Sequence, residues 1–253
     1  MTNGTRAKQA LQAPGGRWKA LPLLFALAAL SCLPGCRSAP QPVLDGDANP
    51  AEMAPSTDWS ADMARFAAED AATPPPAGPV VFTGSSSVRM WDTLATDFPG
   101  VRVLNRGFGG SQVRDATWHL DQVVLRYRPR QVLLYAGDND INAGRTPAQV
   151  LADVRAFVAA ARKALPGVRI GYLAIKPSPS RIEQLDRQRQ ANALVRAWAA
   201  TQAGVDFIDV ATPMLDAAGQ PRAGLFLPDR LHMNADGYAL WRGIVAPYLD
   251  GTP

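Results

Sequence analysis

The stretch PVVFTGSSSVRMW, residues 79–91, joins an apolar run to a glycine-serine turn and then to a second apolar pattern. On its own, a glycine followed by three serines is typical of a flexible linker. Here a run rich in β-branched residues precedes it, as in a buried strand, and Trp91 follows it. This context predicts a strand that ends in a tight turn, with a serine presented at the end of the strand.

The same alternation of strand and helix continues along the chain. The predicted strands are the apolar runs Pro79–Phe82, Val101–Leu104, Gln131–Tyr135, Val168–Ile175 and Val205–Val210. The predicted helices are Trp59–Asp70, Val88–Asp97, Gln112–Tyr127, Pro147–Leu165, Ile182–Gln202 and Ala235–Leu249. Strands that read as continuous apolar runs and alternate with helices indicate a parallel sheet covered on both faces. The predicted fold class is α/β, a three-layer α/β/α sandwich of flavodoxin-like architecture with a five-stranded parallel sheet.

The N-terminal residues have the features of a bacterial secretory signal. Four basic residues precede the apolar run Ala20–Leu33, which is shorter than the roughly 20 residues that a membrane-spanning helix needs. The run ends in Leu-Pro-Gly-Cys, which resembles a lipobox, where the chain is cut before a cysteine that then receives a lipid. We interpret residues 1–35 as a lipoprotein signal peptide and Cys36 as the lipidation site. The alternatives are cleavage at Cys32, an ordinary secretory signal and a retained anchor.

The remaining chain divides into a tether and one domain. Residues 36–57 are rich in Pro, Ala, Ser and Asp, which predicts a flexible tether, and residues 58–253 are predicted to form one folded domain. Removing the signal takes away four of the 26 basic residues and no acidic residue, which leaves 22 basic against 22 acidic side chains. A neutral domain lacks the cationic surface that nucleic-acid binding requires. Because neither cysteine lies beyond position 36, the domain also has no disulfide, thiolate nucleophile or cysteine metal site.

Polar and glycine-rich sequences follow four of the five predicted strands. Ligands bind at the carboxyl ends of the strands in a parallel α/β sheet, so these sequences are predicted to share one edge. They are Gly84–Ser87 (GSSS), Asn105–Gly110 (NRGFGG), Gly137–Asp140 (GDND) and Asp229–His232 (DRLH).

Each of these sequences suits one part of an acyl-transfer site. A serine at a strand-to-helix turn can act as a nucleophile, and glycines after the second strand let backbone N–H groups approach a substrate. The side chain of Asn139 can add a further N–H donor to an oxyanion. Asp229 and His232 are three residues apart, so the carboxylate can hold Nδ1–H of the imidazole while Nε2 faces the serine.

The four sequences, taken in order along the chain, resemble the motifs of the SGNH, or GDSL, hydrolase superfamily: Gly-x-Ser, Asn-x-Gly-x-x-Gly, Gly-x-Asn-Asp and Asp-x-x-His. The resemblance covers about residues 80–238. The overall pattern is similar to that of bacterial esterases near the platelet-activating-factor acetylhydrolases. It implies the following roles: nucleophile Ser86, oxyanion donors Gly110 and Asn139, and remaining triad members Asp229 and His232. The usual Gly-Asp-Ser-Leu motif is Gly-Ser-Ser-Ser here. Ser85 and Ser87 are expected to satisfy backbone groups and to cap the following helix.

The resemblance implies an esterase that hydrolyses carboxylic ester bonds through an acyl-enzyme. The sequence shows no long apolar insertion that could form a lid, which favours small or short-chain acyl esters. The resemblance implies no cofactor and no metal; Asp138, Asp140, Asp229 and His232 lack metal-ligand spacing on one element. His119 is expected to be structural. The alternatives are a carbohydrate O-acetylesterase or acetyltransferase, and a non-catalytic module that binds an anion at the serine turn.

The expected partners are a small-molecule or carbohydrate acyl ester and, through the N-terminal lipid only, a membrane; no nucleic acid is expected. The chain is predicted to be an exported lipoprotein of the outer membrane that faces the periplasm or the cell surface, since no aspartate directly follows Cys36.

Overall fold

A computed structural model of the chain describes residues 54–249. The predicted signal peptide, Cys36 and the predicted tether as far as residue 53 lie outside the described residues. Within residues 54–249 no helix is long and apolar enough to cross a membrane. The last residues of the predicted tether contact the domain: the backbone N–H and Oγ of Ser56 donate to the two carboxylate oxygens of Asp115, at 2.5 and 2.7 Å.

The five predicted strands all form. They are β1 (Val80–Gly84), β2 (Val103–Gly107), β3 (Gln131–Tyr135), β4 (Arg169–Leu173) and β5 (Val205–Ile208). The α-helices of the described region are α1 (Ser60–Ala72), α2 (Ser86–Arg89), α3 (Leu94–Asp97), α4 (Val113–Trp118), α5 (Leu120–Val123), α6 (Asp138–Asn142), α7 (Pro147–Ala164), α8 (Leu185–Ala199) and α9 (Ala235–Val245). Short 3₁₀ turns precede α8 at Pro179–Gln184 and follow α9 at Ala246–Tyr248.

The strands form one parallel sheet in the order β2-β1-β3-β4-β5. This is the flavodoxin-like order, and it confirms the predicted fold class. Because β1 lies between β2 and β3, the loops that follow β2 and β3 flank the turn at the end of β1. The topology therefore brings three of the four motifs together.

Alternate side chains of each strand enter different halves of the core. Val81 and Val132 point into a cluster that includes residues of α1, α4, α7 and α8. Their neighbours Phe82 and Leu133 belong to a second cluster with Trp91 and residues of α9. All four of these strand side chains are fully buried. Because both faces of the sheet are covered, the strands read as apolar runs rather than as alternating patterns.

Two predicted helices are divided in the structure. The predicted helix Val88–Asp97 forms only the single turns α2 and α3, because Trp91 leaves the helical path and packs edge-on against Phe82 and Phe98. The predicted helix Gln112–Tyr127 becomes α4, α5 and a 3₁₀ turn, with a break at Val124 (φ −136°). Helix α6 was not predicted. In the first of these helices the tertiary contacts of Trp91 override the local apolar pattern.

Candidate active site

The serine turn begins where β1 ends. Gly84 has a φ of +117°, and a Cβ at this position would lie 1.9 Å from the carbonyl oxygen of Tyr135, so only glycine fits. The backbone N–H of Ser85 then donates to the same Tyr135 oxygen (2.9 Å), which ties the turn to β3. On the other side, Asn105 at β2 donates through Nδ2 to the carbonyl oxygen of Val88 (2.6 Å). Both neighbouring strands therefore hold the turn that presents Ser86.

The three serines of this turn differ in accessibility. Ser85 and Ser87 are each only 2% exposed, whereas Ser86 is partly accessible. Ser85 occupies the N-cap position of α2, but its side chain makes no capping hydrogen bond, so the predicted capping role is wrong for this hydroxyl. The carbonyl oxygen of Ser87 accepts a hydrogen bond from the hydroxyl of Tyr238 (3.1 Å). Among the three, Ser86 is the hydroxyl that a substrate can reach.

Asp229 and His232 lie on a loop that the aspartate itself organises. One oxygen, Oδ1, accepts the backbone N–H groups of Leu231 and His232, both at 2.9 Å. The other, Oδ2, lies 2.6 Å from Nδ1 of His232. Arg230 adopts a φ of +58° within this turn, and an isolated antiparallel bridge between Phe226 and Met233 closes the loop.

These hydrogen bonds set the protonation of the pair. They lower the pKa of Asp229 to about 2, with the bond from the imidazole as the largest cause and the two backbone N–H bonds next. An ionised carboxylate only accepts, so Nδ1 of His232 carries the proton. In the neutral imidazole, Nε2 is then the acceptor, and it lies 3.1 Å from Oγ of Ser86. The structure thus brings three predicted site residues into one hydrogen-bonded chain, Ser86, His232 and Asp229.

Gly110 lies in the turn that follows β2. Phe108 donates its N–H to the carbonyl oxygen of Gly84 (2.8 Å), and its own carbonyl accepts from Ser111 (3.3 Å), which closes a β-turn. Gly110 occupies the third position of that turn with a φ of +89°, which favours glycine. Within residues 54–249 neither the N–H of Gly110 nor that of Ser86 makes a hydrogen bond. Both donors are available to a bound oxyanion.

Asn139 lies in the first turn of α6, after β3. Its Nδ2 donates to the carbonyl oxygen of Ser111 (3.0 Å), and its Oδ1 accepts from Nη2 of Arg181 (3.1 Å). The amide therefore bridges from the loop after β3 to the residue next to Gly110, across the end of β1. One N–H of Nδ2 is used in that contact and the second remains for a ligand.

A buried ion cluster lies beside Asn139. Asp138 contacts Nζ of Lys176 (3.4 Å), Nη1 of Arg181 (2.8 Å) and Nε2 of Gln188 (3.1 Å). Burial lowers the pKa of Lys176, and the carboxylate of Asp138 opposes that shift. The sequence motifs gave no sign of these partners, because they come from the loop after β4 and from α8. The available sequence signal was a lysine, Lys176, directly after the fourth predicted strand.

Asp140, the other aspartate of this motif, has a structural position. Both carboxylate oxygens accept the N–H of Val113 at the start of α4, at 3.1 and 3.3 Å. Burial raises the pKa of Asp140 to about 7, and this backbone bond opposes the shift. Asp140 thus joins α6 to α4 rather than facing the serine.

His119 lies between α4 and α5, and its ring packs edge-on against Phe108 (6.3 Å between centroids). It makes no contact with Asp229 or Ser86. Within residues 54–249 no group of three or more His, Cys, Asp or Glu side chains is arranged to hold a metal ion.

An α/β/α sandwich with a Ser-His-Asp chain at the carboxyl edge of its sheet defines a class of hydrolase. The sequence matches the family model of the GDSL-like lipase/acylhydrolase family over residues 73–240, which is most of the described region. The chain belongs to this family, and family membership supports ester hydrolysis as its general activity. No curated protein matches the sequence.

Solved structures have the same fold at low sequence identity. A candidate platelet activating factor from Streptococcus pneumonia superposes with a TM-score of 0.67 at 21% identity, over 75% of this chain and 91% of that one. A GDSL-like lipase from Bacteroides thetaiotaomicron gives a TM-score of 0.63 at 20% identity, over 74% and 97%. A catalytic mutant of an acetylxylan esterase from Geobacillus stearothermophilus gives 0.55 at 14% identity, over 68% and 94%. The predicted family resemblance is confirmed.

Proposed function

We propose that this protein is a serine esterase that hydrolyses carboxylic esters of small or short-chain acids through an acyl-enzyme. The observation that carries the proposal is the hydrogen-bonded chain in which His232 lies 3.1 Å from Ser86 and 2.6 Å from Asp229. This geometry supports a nucleophile, a general base and a group that orients the base. A module that only binds anions would use neither the aspartate nor the histidine.

In the proposed reaction, Oγ of Ser86 attacks the ester carbonyl carbon while Nε2 of His232 takes the hydroxyl proton. The carbonyl oxygen becomes an oxyanion, which accepts N–H donors from Ser86, Gly110 and Asn139. Collapse of this intermediate breaks the bond to the alcohol, and the alcohol leaves with the proton from His232. Water, activated by the same imidazole, then attacks the acyl-enzyme and releases the acid. Asp229 stabilises the imidazolium in both steps.

The accessibility of the site favours small substrates. The side chain of His232 is 24% exposed and that of Asp229 is 47% exposed. A long acyl chain binds in an enclosed apolar pocket that shields it from water, whereas the exposed fractions of His232 and Asp229 indicate an open site. We therefore expect activity to be greatest for acetyl and other short-chain esters.

The experiment is hydrolysis of p-nitrophenyl esters from acetyl to palmitoyl by the purified protein. We expect turnover of the short esters, a decline as the chain lengthens, and no turnover by Ser86→Ala. Activity that persists in a folded Ser86→Ala variant would rule out the proposed mechanism.

A carbohydrate acyl ester is a second candidate substrate, and a cavity beside the site favours it. The cavity has a volume of about 310 Å³, and Asp58, Trp59, Trp118 and Gln122 are among its lining residues. Trp118 is 58% exposed, an unusual position for so large an apolar ring. Trp59 connects this cavity to the serine site, since its ring would lie 3.7 Å from a Cβ at Gly110. An exposed indole with nearby carboxylate and amide groups suits a sugar ring, whose C–H face stacks and whose hydroxyls hydrogen-bond.

This candidate is tested with Trp118→Ala on two substrates. For an acetylated xylo-oligosaccharide we expect KM to rise about two- to tenfold, because aromatic contacts contribute about 0.5–1.5 kcal/mol. For p-nitrophenyl acetate, which has no sugar ring to stack on Trp118, we expect no change. Equal effects on both substrates would remove the case for a sugar site.

We also propose that the mature protein is an exported lipoprotein, attached to the outer membrane through a lipid on Cys36. The support is the basic segment, the apolar run and the Leu-Pro-Gly-Cys sequence.

A further inference from the structure

The amide of Asn139 can occupy its position in two orientations that differ by exchange of oxygen and nitrogen. In the observed orientation Nδ2 faces the carbonyl oxygen of Ser111 and Oδ1 faces the guanidinium of Arg181, at 3.0 and 3.1 Å. After a flip, an NH₂ group would face a cation and an oxygen would face a carbonyl, so both contacts would become repulsive. Only the observed orientation directs N–H groups toward the end of β1.

Arg181 is held in place independently of Asn139. Its second nitrogen, Nη1, lies 2.8 Å from Oδ1 of Asp138, and its side chain is only 14% exposed. The N–H of Ser180, the preceding residue, donates to the carbonyl oxygen of Arg230 (3.0 Å), in the loop that carries Asp229. The planar guanidinium of Arg181 thus contacts two consecutive residues of α6. The loop that carries Arg181 is also hydrogen-bonded to the loop that carries Asp229 and His232.

The contact also affects the strength of the amide as a donor. A charged donor on Oδ1 polarises the amide, which makes the hydrogens on Nδ2 more positive and their bonds to an acceptor stronger. This effect is largest for an acceptor that carries negative charge, which a substrate does only in the transition state.

We propose that Arg181 is a positioning residue that fixes and polarises the amide of Asn139 so that its remaining N–H stabilises the oxyanion. This role rests on the proposed esterase function, because it acts on a step of that reaction. It assigns a function to a residue outside the four motifs, 42 positions from the residue on which it acts.

Removal of the guanidinium is not expected to unfold the protein. Without Arg181, Asp138 keeps Lys176 (3.4 Å) and Gln188 (3.1 Å) as partners, so the buried carboxylate and the buried lysine remain paired. Arg187 provides a matched control, since it is partly buried like Arg181 and donates to a backbone carbonyl, that of Arg145 (2.8 Å).

The test compares Arg181→Gln, Arg181→Lys and Arg187→Gln by kcat and KM for p-nitrophenyl acetate and by melting temperature. Arg181→Gln should lower kcat about tenfold or more, as a misplaced catalytic group does, and change KM less than about twofold. Arg181→Lys keeps the charge for Asp138 but lacks the planar fork, so kcat should also fall while the melting temperature stays near wild type. Arg187→Gln should leave kcat unchanged.

A double-variant cycle separates positioning from general support of the fold. If Arg181 acts through Asn139, Arg181→Gln should change kcat less than about twofold in an Asn139→Ala background. The same fractional loss in both backgrounds, or wild-type kcat in Arg181→Gln and Arg181→Lys, would overturn the proposal. The proposed function fails separately, when Ser86→Ala retains turnover, so the two failures are distinguishable.

Discussion

Replacing Asn139 by alanine removes the one side-chain donor assigned to the oxyanion and leaves the serine, histidine and aspartate in place. Its Nδ2 already bonds to Ser111, so one N–H remains for the substrate oxygen. Removing one such donor lowers kcat by about 10²–10³, equivalent to roughly 3–4 kcal/mol of transition-state stabilisation. The oxygen is charged only in the transition state, so the loss should appear in kcat and leave KM nearly unchanged.

The stability effect of the same change is separate from the effect on kcat. Asn139→Ala removes two partly buried hydrogen bonds: the one to Ser111 is worth about 1 kcal/mol, and the one from the charged Arg181 is worth about 1.5–3 kcal/mol. For a domain of this size, such a loss lowers the melting temperature by several degrees, roughly 2–4 °C per kcal/mol. The protein therefore stays folded at 25 °C.

The assay is steady-state hydrolysis of p-nitrophenyl acetate at 25 °C, with folding checked by circular dichroism. Asn142→Ala is the matched control: it lies in the same helix and accepts a hydrogen bond from Gln184 (2.8 Å) in the loop that also carries Arg181. We expect Asn142→Ala to keep wild-type kcat. A folded Asn139→Ala variant with near-wild-type kcat would refute the assignment of this amide to the oxyanion.

Three further changes test other parts of the account. Asp229→Asn removes the carboxylate that holds Nδ1–H of His232 and should lower kcat by roughly 10²–10⁴ without loss of folding; a loss under tenfold would argue against the triad. Asp140 has a pKa of about 7 in the folded protein against an ordinary 3.8, so the folded state holds its proton to higher pH and stability falls as pH rises from about 4 to about 7. Asp140→Asn keeps an acceptor for Val113 and cannot ionise, so its melting temperature relative to wild type should be higher at pH 8 than at pH 4.5; a pH-independent difference would contradict this. Cys36→Ala, expressed in a bacterium, should abolish labelling by a fatty-acid probe, and unchanged labelling would exclude lipid attachment at this residue.

The sheet and the shared edge of the motifs could be predicted because both depend on local sequence. Buried parallel strands require continuous apolar runs, and Val80–Gly84 and Gln131–Tyr135 meet that requirement. The position of polar residues at strand ends then follows from the topology of any such sheet. The family resemblance then singled out Ser86 among the three serines and predicted His232 as its partner, 146 residues away in sequence.

The interrupted helices and the partners of Asn139 could not be predicted, because they depend on contacts between distant segments. Trp91 leaves its helix to join an aromatic cluster that the local pattern does not show. Arg181 follows a proline-rich stretch with no motif of its own, and only the folded loop brings it to Asn139. The hydroxyl of Ser85 was predicted to cap α2 from its residue type, but it makes no capping hydrogen bond; the carbonyl oxygen of Ser85 instead accepts the N–H groups of Val88 and Arg89.

The central claim, that Ser86 is the nucleophile, is tested most directly by covalent capture with a fluorophosphonate probe, followed by mass spectrometry of the modified peptide. A phosphonyl group should be found on Ser86, because its Oγ is the hydroxyl within reach of Nε2 of His232, at 3.1 Å, whereas Ser85 and Ser87 are each 2% exposed. Ser86→Ala should abolish capture, while Ser85→Ala and Ser87→Ala should retain it. A label on another residue, or loss of capture in a folded Ser85→Ala or Ser87→Ala variant, would contradict the account.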